Sequence, residues 1–430
     1  LKLVFPNFDH AALKLFYFVS LVLFRLSLDF TYLFVIAPVY SFMGFGVEFD
    51  VGTYLLSWAG FLIFYPFLPV VLERLSDVIL LLAYLTFLTP LSSFYGMTDV
   101  SAFPFFVSTL SFFTFLVLTR KPVLNVVPQV VYLREGRSIV KLVSLLLLAF
   151  LVSWYFASGA VRYINFDFSK VYEFRELSAE VANVGFLAYL NSWIYQVVSI
   201  FLLAVCLWER KYFFVACLFL VQIFFFGVTG HKSLLFYPFL VLGVWFYFKR
   251  TSSALWLPTL LLGLVFTATA TYFLIDNIWP VSLFVRRALF IPASLTYDYF
   301  SFFSVNDFVF WGNSVLSSVV EYPYSKNIAP MIGEYNELGG NANNGFVSNG
   351  YAHAGLVGVF IYTVIFSAFV LLLEKFTEYF PLWFSVAITV IPIRSAIISS
   401  DLLTVILTHG LLLTLIFVLL FRFGKPSRQR

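Results

Sequence analysis

Along this chain, long apolar runs alternate with short polar breaks. Runs of roughly 15–23 residues, the length that crosses a ~30 Å hydrocarbon core as a helix, fall near 28–45, 53–72, 78–95, 101–119, 139–157, 186–207, 212–229, 233–248, 254–275, 347–373, 381–399 and 402–421. In lipid every backbone polar group must be satisfied within its own segment, so such runs predict helices. The expected fold is all-α and polytopic, with about twelve transmembrane helices (range 11–14) in a single membrane domain over residues 1–430. A further run at 11–27 carries Lys14 and Arg25. It is either a thirteenth span or an interfacial helix lying on the membrane.

Two interruptions are long: 158–185 and 276–346. The second is rich in aromatic residues and moderately charged, with "FWGNSVLSSVVEYPYSKNIAP" near its middle, a composition disordered segments lack. Loops of this length inside a compact protein are usually functional. It is expected to be a folded extracytoplasmic cap carrying short helices over an outward-facing cavity. No internal repeat stands out.

Composition sharpens the picture. Hydrophobic residues make up 61% and charged residues 11%, with a mean hydropathy of +0.95. A soluble domain carries about 25% charged residues, so the polar surface here could not cover a soluble globule. The net charge of +4 says little about nucleic acid, and no nucleic-acid partner is expected; the placement of the charges matters more. One alternate set of connections holds 15 of the 26 basic residues: Arg74, Arg120, Lys121, Arg134, Arg137, Lys141, Arg210, Lys211, Lys249, Arg250, Lys375, Arg422, Lys425, Arg428 and Arg430. The other side, on longer loops, holds eight: Arg162, Lys170, Arg175, Lys232, Arg286, Arg287, Lys326 and Arg394. Lys2, Lys14 and Arg25 are left unassigned. Positive charge marks the cytoplasmic side, which places the C-terminus there. An N-terminus inside gives twelve spans, outside thirteen. Cys206 and Cys217 lie in apolar segments and read as small apolar residues. The opening "LKLVFPNFDHAALKLF" lacks the basic start and small-residue cleavage site of a signal peptide.

The outer cations carry the candidate chemistry. Lys232 sits in "GVTGHKSLLF", Arg286 and Arg287 in "WPVSLFVRRALFIPASLTYDYF", and Arg394 in "VIPIRSAIISSD", about two turns from Asp401. Ionisable groups at membrane depth usually face a cavity or a partner. Two readings stay open. The side chains snorkel to the interface, with Arg394 paired to Asp401; or they bind an anion at the outer leaflet, arginine gripping phosphate with two donors and lysine acting as a point charge. A diphosphate headgroup on a membrane-anchored lipid would meet them there. His231, beside Lys232, reads as a turn residue. Four scattered histidines make no metal cluster, and neither a phosphate-binding glycine loop nor a serine nucleophile elbow appears. No cofactor is expected.

Before the apolar run at 347–373 stands "GGNANNGFVSNGYAHAGLVGVF", with Asn341, Asn343, Asn344 and Asn349 within nine residues. From Phe346 to Leu373 a continuous helix would be about 42 Å long, so its first two turns should project into the interface. Asn343 or Asn344 can cap it, Asn349 and His353 share a face, and Gly355 and Gly358 permit a neighbouring helix to approach closely. Either these groups serve capping and packing alone, or they form a polar ledge that orients sugar hydroxyls.

The pattern Asn-Asn-Gly-Phe, then "VSNGYAHAG", then Gly355-Leu-Val-Gly358 resembles the signature of the O-antigen polymerase family, the Wzy-type oligosaccharide repeat-unit polymerases of bacterial envelopes. The number of spans, a large loop before this helix, the arginines at its start and the turn "TGHKSLLFYPFLVL" are similar too. The related O-antigen ligases carry a His-Asn pair at the corresponding place, where this chain has Asn343. Residue-level likeness covers about forty residues. The resemblance implies a metal-independent, glycosyltransferase C-like enzyme of the bacterial inner membrane. It would move a growing polysaccharide from undecaprenyl diphosphate onto a sugar hydroxyl of a new lipid-linked unit, with a chain-length regulator as partner. Arg286, Arg287, Lys232 and Arg394 would neutralise the departing diphosphate. His353 is the first candidate for the base, Glu334 the second and Asp298 the third. Asn343, Asn344, Asn349 and Tyr351 would position sugars, and Tyr297, Tyr299 and Trp311 would stack on them. A lipid-linked oligosaccharide flippase is the rival from another class. Flippases usually show internal pseudo-repeats and midplane polar sites, whereas the charges here gather at one edge.

Overall fold

The structure is a computed structural model that describes residues 10–120, 133–167, 171–337 and 339–422. Lys2, Lys121, Lys170, Lys425, Arg428 and Arg430 of the charge-asymmetry argument lie outside these. The chain is all-helical, and among the described residues extended backbone pairs at Val71 and Ser253 alone. Each predicted apolar run falls on a helix. Nine helices of the described residues are long and apolar enough to cross a membrane: Ala11–Met43, Leu75–Met97, Ala102–Arg120, Gly136–Ala157, Leu187–Trp208, Tyr212–Thr229, Trp256–Ile275, Phe346–Thr377 and Leu402–Phe421. Val51–Phe67 and Leu382–Ile398 are shorter apolar helices, and Ser233–Arg250 ends in two cations. The chain is a multi-pass membrane protein.

The expected separation of 11–27 from 28–45 is corrected: Ala11–Met43 is one helical run. Its charges are the reason. Arg25, fully buried, is ion-paired with Asp29 one turn on. The guanidinium also donates to Ser92 Oγ (3.1 Å), Ser57 Oγ (3.0 Å) and the Ser92 carbonyl (3.0 Å), and lies 5.2 Å from the Trp58 ring centre. Asp29 accepts from Tyr54 Oη (3.0 Å) and Ser93 Oγ. A charge so paired can reside in a span, so the segment need not lie on the surface.

Among the described residues the helices widen into four π turns, at Tyr32–Ile36, Tyr84–Leu88, Ile194–Val198 and Val281–Phe290. All but Ile194–Val198 sit just upstream of a proline: Pro38, Pro90 and Pro292. A proline ring collides with the carbonyl four residues back, and a widened turn moves that carbonyl away.

The chain forms two compact units. The first comprises Leu1–Val123, Ser252–Val370 and Ala396–Leu402; the second comprises Leu124–Thr251, Leu371–Ser395 and Leu403–Arg430. In the second, Phe201, Trp208, Phe380, Phe384, Phe417 and Phe421 form an aromatic core. Arg137 lies over Trp208 and Phe421. In the first, the long 276–346 interruption is folded. Val281–Phe290 runs into Ile291–Val305, and a short helix spans Ile328–Tyr335. The 158–185 interruption, in the second unit, holds a helix at Val171–Ala182.

Candidate functional site

The asparagine-rich segment does not enter a straight helix. Helical geometry runs from Phe346 to His353, breaks at Ala354 (φ −155°) and Gly355 (φ +57°, ψ −140°), and resumes. Glycine alone adopts that second conformation at little cost. The halves fold back on each other. Phe346 stacks on Phe366 with ring centres 4.8 Å apart, and Gly358 faces the carbonyl of Gly350 so closely that a Cβ would collide with it. The expected 42 Å rod is thus a hairpin. Gly355 makes the bend and Gly358 serves its closure, so neither receives a separate helix. Gly345 lies against the Ile397 carbonyl.

A helix broken inside the protein leaves carbonyls needing donors. Here the cap supplies them: Val309 N–H donates to Ala352 O (3.0 Å) and Phe310 N–H to His353 O (2.9 Å). The next amide, of Trp311, donates to His353 Nδ1 (3.3 Å). To present these groups Phe310 and Trp311 adopt φ of 43° and 58°, a strained region for aromatic residues that recurs at functional sites.

Four side chains then close a cluster. The Trp311 indole lies parallel to the His353 imidazole, 5.1 Å away at 13°, and its N–H donates to Tyr362 Oη (3.0 Å). Tyr362 donates to Asp401 Oδ1 (2.8 Å). His353 Nε2 lies 3.4 Å from the same oxygen. His353 is 2% exposed, whereas the Asp401 side chain is 20% exposed. Residues 311, 353, 362 and 401 share no sequence spacing. One of the two open readings of the sequence paired Asp401 with Arg394, and neither singled out Tyr362; an aspartate in an apolar run was the available signal.

The sugar-binding expectation for Asn344 and Asn349 is corrected, because both are buried and spend their amides on protein. Asn344 Nδ2 donates to Pro292 O (3.0 Å), Thr296 Oγ1 (3.1 Å) and Ser348 Oγ (2.9 Å). This ties the hairpin to the helix that follows the arginine pair. Asn349 Nδ2 donates back to Asn344 O (2.6 Å) and Gly345 O (3.1 Å). Tyr351 is also buried, stacked on Phe300 at 3.9 Å, and Tyr297 is buried against Phe94. Asn343 is exposed. Of the other base candidates, Glu334 is exposed and ion-paired with Lys326. Asp298 accepts from Asn336 Nδ2 (3.0 Å), and burial pushes its carboxyl above the usual carboxylate range.

Arg286 is buried. Its guanidinium donates to Ser282 Oγ (3.0 Å) and Met43 Sδ (3.3 Å) and lies 4.1 Å from the Tyr40 ring centre. Its Nε has no hydrogen-bond partner, and among the described residues no carboxylate pairs with it. Arg287 is exposed. Lys232 and Arg394 belong to the second unit, with Arg394 near Tyr237. His231 packs on Tyr195 at 5.6 Å. Burial, with Arg175 and His409 adding to it, lowers its imidazole to about 3, so it stays neutral at working pH.

No group of three or more metal-ligating side chains gathers among the described residues. No protein-family model, curated protein or solved structure matches the chain.

Proposed function

We propose that this chain is a membrane glycosyltransferase that joins oligosaccharide units carried on undecaprenyl diphosphate into an O-antigen or related surface polysaccharide. In this reading it lies in the bacterial inner membrane, with about twelve spans, its C-terminus cytoplasmic and the 276–346 cap periplasmic. The reading is carried by the His353–Asp401–Tyr362–Trp311 cluster at the helix break. Ionisable groups held together inside a membrane protein mark a working site by default, and glycosyl transfer needs a group to accept a hydroxyl proton.

Arg286 supports it as a second element of the same unit. A buried guanidinium that, among the described residues, is held by the Ser282 hydroxyl, the Met43 thioether and Tyr40, with no carboxylate paired to it, is suited to an anion that arrives with the substrate. Charge grows on the diphosphate as the glycosidic bond breaks, and a cation already in place stabilises that transition state. Arg287 is the further cation of this unit in the proposal. Asn343 and the cap aromatics are left to meet the sugars, since Asn344 and Asn349 are occupied.

The test is deletion of the gene followed by electrophoresis of surface lipopolysaccharide. Lipid A core capped with a single repeat unit is the expected product, because units are still flipped and ligated but not joined. Core with no repeat unit overturns the polymerase reading. Lipid-linked units then accumulate on the outer side for a ligase and on the inner side for a flippase.

A further inference from the structure

We infer that Asp401, rather than His353, takes the proton from the attacking sugar hydroxyl, with His353, Tyr362 and Trp311 as positioning residues. The inference rests on the glycosyl-transfer reading and deepens it.

The hydrogen-bond directions decide the roles. A neutral imidazole has one acceptor nitrogen. That nitrogen is Nδ1, because the Trp311 backbone N–H points at it. The proton therefore sits on Nε2, which faces Asp401 Oδ1. No lone pair of His353 remains for a substrate, and at 2% exposure none could be reached. Asp401 stands at the other end of both relays. One runs from the Trp311 amide to His353, whose Nε2 lies 3.4 Å from Oδ1; the other runs from the Trp311 indole through the Tyr362 hydroxyl, which donates to the same Oδ1. The Tyr362 hydrogen bond fixes the carboxylate's orientation, with the His353 imidazole beside the same oxygen, and chained donors strengthen one another. Asp401 is also the more exposed of the two, its side chain 20% exposed against 2% for His353. Trp311 starts both relays, which accounts for its left-handed backbone (φ 58°).

The step balances as follows. The acceptor hydroxyl gives its proton to Asp401 as its oxygen bonds to the anomeric carbon of the donor. The bond from that carbon to the phosphate oxygen breaks. Its electron pair leaves with the lipid diphosphate, whose added charge faces Arg286. Asp401 then releases the proton to water.

The experiment uses the full chain in lipid nanodiscs, with undecaprenyl-diphosphate-linked units extracted from the deletion strain. General-base loss costs about 10²–10⁴-fold in rate. Asp401→Asn is therefore expected to lower kcat by about 10³-fold with KM little changed. His353→Gln and Tyr362→Phe, which disturb orientation alone, are expected to cost about tenfold. Formate added to Asp401→Ala should restore part of the turnover, which a structural role would not allow and which reads out even if Asp401→Asn folds poorly. Asp401→Asn keeping more than a tenth of wild-type kcat, or His353→Gln losing more than it does, overturns the assignment. Absence of formate rescue in a folded Asp401→Ala protein does the same. Wild-type protein that joins no units sinks the glycosyl-transfer reading, and this assignment with it.

Discussion

Replacing Arg25 with Met should destabilise the protein far more than removing the whole charge pair. The guanidinium makes three hydrogen bonds of 3.0–3.1 Å to Ser57 and Ser92 and an ion pair with Asp29. Methionine fills most of the volume, so the packing loss is small. What remains is Asp29, 5% exposed, with its counter-charge gone. Breaking a buried pair from one side costs about 3–5 kcal/mol. The carboxylate's escape is to take up a proton, which at pH 7 costs about 4 kcal/mol against an ordinary aspartate value near 3.9; the two routes agree. Arg25→Met with Asp29→Asn removes both charges and leaves the amide within reach of Tyr54 and Ser93, so it should recover at least half of the loss. Detergent-induced unfolding, followed by tryptophan fluorescence, measures both variants and each single change. A single Arg25→Met costing under about 1 kcal/mol, or a double variant no better than it, would refute the reasoning.

Three further outcomes follow from the geometry. Gly345→Ala puts a Cβ into the Ile397 carbonyl and should cost about 1–3 kcal/mol; an unchanged unfolding midpoint would contradict the close approach. Gly355→Ala forces a left-handed φ of 57° on alanine, again about 1–3 kcal/mol. Because His353 lies at this bend, the proposed function has polymer length on a lipopolysaccharide gel falling even where the variant accumulates normally. Asp298→Asn should be stabilising at pH 7. Burial raises the carboxyl of Asp298, so the folded state holds its proton longer, and stability is lost as pH rises from about 4. The asparagine variant escapes that loss, so its advantage in melting temperature should fade toward pH 4, and an advantage constant between pH 4 and 8 would count against it.

The sequence by itself determined that this is a helical membrane protein and where its helices lie, because hydrophobicity is a property of contiguous stretches. A segment such as 212–229 need consult nothing beyond itself to be helical in lipid. It also marked Arg286 and His353 as unusual, since a charge or an imidazole in apolar surroundings is conspicuous without a structure. The tertiary fold decided what those groups touch. Arg25 reads as an obstacle to a span until Ser57, Ser92 and Asp29 surround it. Asn344 and Asn349 read as a ledge for sugars until the hairpin consumes their amides. Asp401 gains its meaning from Tyr362 and His353, brought to it by a bend at one glycine. Apolar runs are legible because burial in lipid is decided residue by residue. Polar partnerships are not, because a hydrogen bond needs two groups within about 3 Å, and only the folded chain sets which two those are.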